Sequence, residues 1–219
     1  MGWLSVNVDF SNREVLLVGA GQVGRRKLVD LLAAGARVRV IEPKPDAYLV
    51  ELESSGQICL EKDFQESFLA ASPWVFLALD DRLEAARLSA LAKARGLLVN
   101  RVDKPDDGDF FMPALVDLGP FRLTVSSQGL APALTARVAR ELRSRYQGYG
   151  ALVSLLGRIR PLILNSGLDL EKRKLIFKDL AEDESLIEFL SRGDGQSLLA
   201  ALKKDLEPLE LPGDFNLFE

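Results

Sequence analysis

The glycine-rich stretch after the first apolar run constrains the fold of this chain most strongly. Leu16, Leu17 and Val18 form a short apolar run, which is typical of a strand buried on both faces. The next six residues, Gly19-Ala20-Gly21-Gln22-Val23-Gly24, have the G-x-G-x-x-G spacing of a strand-to-helix turn. In that pattern the first glycine makes a tight turn, the second admits a pyrophosphate, and the third lets the helix pack on the strand. The stretch predicts a dinucleotide-binding turn, although such turns also use glycine for purely steric reasons.

An acidic residue follows the next predicted strand at a spacing that matches this interpretation. A helix from Gln22 to Ala34 leads to a strand from Arg37 to Ile41, and Glu42 ends that strand. The interval from Gly24 is 42 − 24 = 18 residues, close to the spacing of about 20 at which dinucleotide folds place a carboxylate on the adenosine ribose. Such a carboxylate repels a 2′-phosphate, so NAD is favoured over NADP. The alternative is an exposed acid at a strand end, beside Lys44.

Alternating strands and helices continue to about residue 110, which predicts an α/β fold with a Rossmann-type, parallel, doubly wound sheet. Asp80 and Asp81 follow a strongly apolar predicted strand, so they are expected to face the nicotinamide half of the cofactor, to cap the next helix, or both. The other predicted strands are Leu4–Phe10, Ile58–Glu61, Trp74–Leu79 and Leu97–Asn100, and the other predicted helices are Ala47–Ser55, Phe64–Ala71 and Arg82–Arg95.

The pattern changes after this region. Two β segments, Phe110–Val116 and Phe121–Val125, precede a helix from Ala131 to Tyr146, and the rest is helical. Between residues 122 and 146 there is one acid, Glu141, against five arginines at 122, 137, 140, 143 and 145. This local positive charge indicates either an anionic partner or a solvated basic face. The predicted later helices are Tyr149–Leu164, Asp169–Ala181, Ser185–Ser191 and Gln196–Leu206, followed by a tail, Leu211–Glu219, expected to dock through Phe215 and Phe218.

Composition excludes several kinds of chemistry. The 219 residues include no histidine, so a histidine general base, a histidine-based triad and histidine metal ligation are excluded. The single cysteine, Cys59, is expected to be a buried thiol rather than a nucleophile. A net charge of −4 disfavours nucleic acid as the main partner. Without a leader peptide or a long apolar stretch, no membrane association is expected and a cytoplasmic location is predicted.

Several motifs in fixed order resemble the siroheme synthase N-terminal family, which comprises the precorrin-2 dehydrogenases, some of which are also sirohydrochlorin ferrochelatases. The resemblance covers roughly residues 3 to 146, and the family usually has a second glycine where Gln128 stands. The motifs are Val18-Gly19-Ala20-Gly21-Gln22-Val23-Gly24 with Arg25-Arg26-Lys27, Ala78-Leu79-Asp80-Asp81, Val99-Asn100-Arg101-Val102-Asp103, Phe110-Phe111-Met112-Pro113-Ala114, and Val125-Ser126-Ser127-Gln128-Gly129-Leu130-Ala131-Pro132-Ala133-Leu134.

The resemblance implies NAD-dependent oxidation of precorrin-2 to sirohydrochlorin, with or without insertion of ferrous ion. The family's key aspartate falls on Asp103, which is therefore the candidate catalytic base, while a non-catalytic NAD-sensing module is the alternative from another class. Ser127, Arg137 and Arg140 are the candidate ligands of the substrate's carboxylates, and no metal ligand is assigned. The expected contacts to NAD are Gly19, Gly21, Gln22, Val23, Gly24, Glu42, Pro43, Lys44, Leu79 and Asp80.

The pattern of elements, together with the resemblance for the middle segment, divides the chain into three segments. Residues 1–112 are expected to form the NAD-binding domain. Residues 113–146 are expected to form a small α+β segment that binds substrate and mediates a homodimer. Residues 147–219 are expected to form a C-terminal helical domain.

Overall fold

The computed structural model describes residues 2–206, so the predicted docking of the tail from Leu211 to Glu219 lies outside the described residues. The chain divides into two compact units, residues 1–112 and residues 113–219. Seven strands and eight α-helices occur in the described part. The strands are β1 (Glu14–Val18), β2 (Arg37–Ile41), β3 (Ile58–Glu61), β4 (Trp74–Leu77), β5 (Leu98–Arg101), β6 (Ala114–Leu118) and β7 (Phe121–Val125). The helices are α1 (Gln22–Ala33), α2 (Ala47–Ser54), α3 (Arg82–Lys93), α4 (Pro132–Arg145), α5 (Tyr149–Leu164), α6 (Leu170–Glu182), α7 (Glu184–Arg192) and α8 (Gly195–Asp205).

The first unit is a five-stranded parallel sheet in the order β3-β2-β1-β4-β5. Chain order reverses at β1, so the predicted doubly wound α/β fold is confirmed. Val18 pairs with Ile41 on one side and with Leu77 on the other, and Leu77 pairs with Arg101. The carboxyl ends of these four strands therefore lie level at one edge of the sheet.

Strand β1 lies at the centre because both of its faces are apolar. Val15 and Leu17 pack in one core with residues of α1 and α2, whereas Leu16 and Val18 pack in a second core with residues of α3. All four side chains are at most 4% exposed. Burying a side chain of this size stabilises the fold by about 1.5–3 kcal/mol, so β1 anchors the turn that follows it.

The predicted strand from Leu4 to Phe10 is wrong, because this segment has no regular secondary structure. The side chain of Leu4 is 84% exposed and that of Val6 is 69% exposed. Alternation of apolar and polar residues shows which face a strand would bury, but a strand also needs a partner edge. Only Phe10, at the end of the segment, packs against the core, through an edge-to-face contact with Trp74.

Two further local predictions need correction. Cys59 is exposed rather than buried, because β3 is the edge strand and the side chain of Cys59 points out of the sheet core. Desolvation nevertheless raises the pKa of its thiol, which keeps the thiol in its less nucleophilic form. The helix predicted from Phe64 to Ala71 is only a short 3-10 segment, Glu66–Ala70, which begins late because the backbone of Gln65 is extended.

The second unit joins a β-hairpin to a helical bundle. Strands β6 and β7 pair antiparallel and form a two-stranded sheet, against which α4 packs. Helices α5 to α8 enclose a separate apolar core that includes the fully buried Ile159, Ile163 and Leu180. Gly150 of α5 approaches the hairpin so closely that a Cβ there would meet the carbonyl oxygen of Leu118 at 1.9 Å. The predicted α+β segment and C-terminal helices are thus both present.

Among residues 2–206, none of the helices has the length and apolar character needed to cross a membrane.

Candidate functional site

In the glycine turn between β1 and α1, close packing requires glycine at two positions and leaves space for a side chain at the third. Gly19 has φ of +89°, and a Cβ there would lie 2.3 Å from the carbonyl oxygen of Ala78. A Cβ at Gly24 would lie 2.1 Å from the carbonyl oxygen of Gly19. Gly21, in contrast, has φ of −63°, and a Cβ there would have no neighbouring atom within 4 Å. The protein's own packing therefore explains Gly19 and Gly24 but gives no reason for glycine at position 21.

Gly21 is also the residue that begins helix α1. It occupies the N-cap position, and no side chain caps the helix there. The first N–H groups of an α-helix lack partners within the helix, and they carry partial positive charge. Gln22 and Val23, the first two helical residues, are exposed beside them. Open space, free donors and positive potential together suit the pyrophosphate of a dinucleotide.

Glu42 has a structural role at this turn. One carboxylate oxygen accepts a hydrogen bond from the backbone N–H of Ala20 at 2.9 Å, and the other accepts one from the N–H of Lys44 at 3.2 Å. The acid after β2 therefore fixes the glycine turn from the side. A carboxylate has about four acceptor positions, so these two bonds leave capacity for ribose hydroxyls. Pro43 and Lys44 are exposed next to it.

A second brace of the turn was not predicted from the sequence. The side chain of Arg25 donates to the carbonyl oxygen of Ala20 at 3.0 Å and forms an ion pair with Asp46. Asp46 in turn caps α2 by accepting a hydrogen bond from the N–H of Leu49. The Arg25 hydrogen bond lowers the pKa of the Asp46 carboxyl. The three consecutive basic residues from Arg25 to Lys27 were the available signal, but the partner of Arg25 lies 21 residues away.

The residues that follow β4 lie beside the turn. The backbone N–H of Ala78 donates to the carbonyl oxygen of Val18 at 2.8 Å, and Leu79 is half-buried against the position of Gly19. Asp81 caps α3 by accepting from the N–H groups of Leu83 and Glu84. Asp80 is exposed and forms no hydrogen bond or ion pair with any other residue of the described range. The two aspartates therefore divide the roles left open by the sequence, since Asp81 is the cap and Asp80 remains available to a ligand.

Asp103 lies one strand further along the same edge, in the loop after β5. Its carboxylate forms a bidentate pair with the guanidinium of Arg101, at 3.0 Å from Nε and 2.5 Å from the second nitrogen. The Arg101 side chain is only 4% exposed, and that of Asp103 is 13% exposed. The hydrogen bonds from Arg101 hold the pKa of the Asp103 carboxyl below its usual value, against the opposing effect of burial. Asp103 is therefore ionised at neutral pH.

This pairing limits the chemistry that Asp103 can perform. A carboxylate with a lowered pKa is a weak base, so it cannot remove a proton from a weak carbon acid efficiently. It is, however, a fixed negative charge in a partly buried site, and such charges stabilise a developing cation strongly. A cation formed by loss of hydride is itself acidic, so a weak base suffices to accept its proton.

The predicted substrate ligands all lie in the second unit. Ser127 accepts a hydrogen bond from the N–H of Ala131 at 3.0 Å and lies 2.9 Å from the hydroxyl of Thr135, so it stabilises the turn before α4. Arg137 pairs with Glu141 on the exposed face of α4, and ion pairs of this exposed kind are weak. Arg140 is exposed, and within residues 2–206 it forms no ion pair. The two arginines are therefore accessible to an anion.

The turn between β7 and α4 explains an irregular position in the sequence. Gln128 has φ of +54° and Gly129 has φ of +81°, and the N–H of Leu130 donates to the carbonyl oxygen of Ser127. Two successive residues with positive φ are what a type I′ turn requires. The left-handed region favours glycine, so Gln128 is strained at this position.

Comparison with known proteins agrees with this geometry. A family described as “Putative NAD(P)-binding” matches residues 6–114. Siroheme synthase 1 of Aeromonas salmonicida is 33% identical over 200 residues, which is 90% of this chain and 42% of that protein. Siroheme synthase of Pseudomonas aeruginosa is 34% identical over 186 residues, or 84% of this chain and 40% of that protein. The chain thus spans about two fifths of the length of these curated relatives.

A solved structure resembles the chain over nearly its whole length. The precorrin-2 dehydrogenase SirC superposes with a TM-score of 0.75 at 25% sequence identity, and the match covers 95% of this chain and 99% of that one. Sheet order, glycine turn and family match define the first unit as an NAD(P)-binding domain of the Rossmann type. Sequence and structure comparisons thus both show that this chain is similar to proteins named siroheme synthase and precorrin-2 dehydrogenase, in agreement with its motifs.

Proposed function

We propose that this protein oxidises precorrin-2 to sirohydrochlorin with NAD as the hydride acceptor. The observation that carries the proposal is the shared edge at which the glycine turn and Asp103 lie, separated by β4. Neighbouring strands are about 4.8 Å apart, so β1 and β5 are separated by about 10 Å. A dinucleotide whose pyrophosphate lies on α1 can therefore extend its nicotinamide toward Asp80 and Asp103. The names of the relatives, siroheme synthase and precorrin-2 dehydrogenase, support this reaction.

The chain's own residues have two tasks in this reaction. Gly21 and the N-terminus of α1 hold the pyrophosphate, and Glu42 receives the ribose hydroxyls while it repels a 2′-phosphate. When NAD is bound, it supplies the acceptor for the hydride, that is, for two electrons and one proton. Asp103 stabilises the cation that the hydride leaves behind and accepts the proton that this cation releases.

The basic residues of α4 are candidates to bind the negatively charged carboxylates of the substrate. Precorrin-2 carries several acetate and propionate groups, and Arg137 and Arg140 are exposed cations on one helix. We infer that these arginines and Ser127 bind carboxylates of the substrate, since guanidinium groups pair well with carboxylates. Their replacement is expected to raise KM more than it lowers kcat.

The segment from residue 113 to residue 146 is also the proposed dimer interface. Helix α4 contains no buried residue in the described structure, and the two-stranded sheet of β6 and β7 is open at both edges. Leu130 is 87% exposed and Leu134 is 54% exposed. Apolar surface of this kind is typical of a protein interface. Light scattering is expected to give twice the chain mass, and Leu134→Glu is expected to lower the measured mass.

A cytoplasmic location is also part of the proposal.

The two other functions make different predictions. Within residues 2–206, no group of three or more acidic, histidine or cysteine side chains is placed to hold a metal ion. A bifunctional enzyme would also insert ferrous ion into sirohydrochlorin, which an incubation of sirohydrochlorin with ferrous ion tests. A nucleotide-sensing module would bind NAD without turnover. Incubation of the purified protein with precorrin-2 and NAD, without oxygen, separates the dehydrogenase from the sensing module. NADH absorbance is expected to rise in the wild type and to stay flat in Asp103→Asn, whereas tight NAD binding with no NADH from the wild type would identify the sensing module.

A further inference from the structure

The Asp103 carboxylate is paired at two points with the guanidinium of Arg101. An inference about Arg101 follows from this pairing, and it rests on the proposed function. Arg101 ends β5, and its side chain is as buried as those of the apolar core. Burial of a guanidinium is costly unless it is paired and hydrogen-bonded. The planar fork of arginine matches both oxygens of a carboxylate, and lysine cannot reproduce that geometry. The two hydrogen bonds from Arg101 therefore fix the orientation of the Asp103 carboxylate, in addition to the attraction between the two charges.

The surroundings of the pair are also ordered. A third nitrogen of Arg101 lies 3.5 Å from Asp107, and Asp107 is paired with Lys104 at 3.0 Å. Arg82, at the start of α3, adds positive potential at Asp103. The charged groups that act on Asp103 are thus Arg101 from β5 and Arg82 from α3, whereas Asp107 contacts Arg101 and Lys104 contacts Asp107. Arg101 is the one among them that contacts both oxygens of the Asp103 carboxylate.

The bidentate contact uses only part of the carboxylate. Each oxygen has about two acceptor positions, and Arg101 occupies one on each. The side chain of Asp103 is still 13% exposed, which gives a ligand access to it. A carboxylate held by two points cannot rotate, so its remaining lone pairs keep a constant direction.

We propose that Arg101 is a positioning residue for the reaction, which locks the Asp103 carboxylate as a fixed anion and leaves its other lone pairs for the substrate. Arg101 itself does not touch the reacting atoms. The consequence is that Asp103 acts on the cation formed by hydride loss without first having to reorient. Misplacement of a reacting group by about 1 Å can lower a rate about 100-fold, so loss of the fork is expected to affect kcat rather than NAD affinity.

Two substitutions at Arg101 separate geometry from charge. Arg101→Lys keeps the positive charge and removes the fork, and Arg101→Gln removes both. The matched control is Arg87→Lys, because Arg87 makes the same two-point contact with Glu84, at 2.7 Å for each bond, on the exposed surface of α3. Thermal unfolding and NAD binding identify any variant that fails to fold, and only folded variants enter the comparison.

The expected result is a fall in kcat of about 10- to 100-fold for Arg101→Lys, with unchanged NAD affinity and an unchanged Arg87→Lys control. In Arg101→Gln, Asp103 loses the hydrogen bonds that favour its ionised form and becomes protonated at higher pH. The kcat deficit of Arg101→Gln relative to wild type is therefore expected to grow as the pH is lowered from about 6 to about 4, toward the ordinary pKa of an aspartate. A constant deficit over this range in both variants would show a merely structural role and overturn the proposal.

A measurement without turnover keeps this inference distinct from the proposed function. The carboxyl carbon of Asp103 is followed by NMR during an acid titration of the wild type and of Arg101→Gln. Wild-type protein that makes no NADH would refute the proposed function, whatever this titration gives. Equal titration midpoints of Asp103 in the two proteins would refute the role of Arg101, even if the wild type is an active dehydrogenase. Should Arg101→Gln fail to fold, Arg101→Lys supplies the same comparison with a smaller expected shift.

Discussion

The substitution Gly21→Ala separates cofactor binding from folding at the glycine turn. Gly21 has an ordinary φ of −63°, and a Cβ there meets no protein atom within 4 Å. Alanine is a poorer N-cap than glycine by about 0.5–1 kcal/mol. The same change lowers the entropy of the unfolded chain, which stabilises the fold by about 0.4–1 kcal/mol. These contributions offset each other, so the free energy of unfolding is expected to change by less than about 1 kcal/mol.

The effect on NAD is expected to be much larger. The added methyl group occupies the surface on which the pyrophosphate is proposed to rest. An extra methyl in a close-packed contact costs about 1–3 kcal/mol, which corresponds to roughly a 5- to 150-fold rise in Kd. Isothermal titration calorimetry with NAD measures this rise, and thermal denaturation checks that the fold is intact.

Gly24→Ala is the matched control for this experiment. Its Cβ would lie 2.1 Å from the backbone oxygen of Gly19, so helix and turn must separate and stability must fall. Gly21→Ala is therefore expected to weaken NAD binding with little loss of stability, whereas Gly24→Ala is expected to lower the stability of the fold. Unchanged NAD affinity in a folded Gly21→Ala protein would refute the placement of the pyrophosphate on this turn.

Three further predictions follow from the site and from the second unit. Asp103→Asn is expected to abolish NADH formation in a steady-state assay while the Kd for NAD changes less than about twofold, because the residue lies on the nicotinamide side; a large loss of NAD binding would contradict this role. On α5, Gly150→Ala is expected to destabilise the protein by more than about 2 kcal/mol, since its Cβ meets the Leu118 oxygen at 1.9 Å, whereas the exposed Gly157→Ala is expected to stabilise it by about 1 kcal/mol. Urea denaturation compares the two, and equal effects would contradict the packing described here. Gln128→Gly is expected to stabilise by about 1 kcal/mol because it relieves a φ of +54°, with Gln128→Ala as the neutral control, and a lower midpoint in the same assay would show that the glutamine side chain has a contact of its own.

The parts of the fold that followed from the sequence are those with strong local signals. Strands β2, β3 and β7 and helix α5 have the bounds that their apolar runs predict. Each has glycine, proline or a polar residue within two positions of both ends, and such residues end elements for local steric reasons. The glycine spacing likewise predicts a turn whose Gly19 and Gly24 are sterically required, as the close contacts of both positions confirm.

The parts that did not follow depend on partners distant in the sequence. The segment from Leu4 to Phe10 alternates as a strand does, but it pairs with neither edge strand of the sheet, β3 or β5. Cys59 has an apolar neighbour on each side, yet the edge position of β3 exposes it. The partner of Asp103 is only two residues away, but nothing in the sequence shows that Arg101 turns back along the strand end and buries its guanidinium there.

The sequence predicted which residues belong to the candidate site, but it did not predict the pKa shift of the Asp103 carboxyl. Absence of histidine leaves carboxylates, lysine, tyrosine or the substrate itself for acid–base chemistry, and the family resemblance indicated Asp103. The lowered pKa of that carboxyl makes it a weak base that stays ionised at neutral pH. The sign matters for pH dependence, because a carboxylate with a lowered pKa stays active above that pKa and loses its charge only as the pH falls through it.

The most direct test of the central claim is a single-turnover reaction under anaerobic conditions, with enzyme and NAD in excess over precorrin-2. Loss of one hydride per substrate predicts that NADH and sirohydrochlorin form in equal amounts and at the same rate, and that neither forms when NAD is omitted. Sirohydrochlorin that forms without NADH, or no product from folded protein that binds NAD, would contradict the proposed reaction.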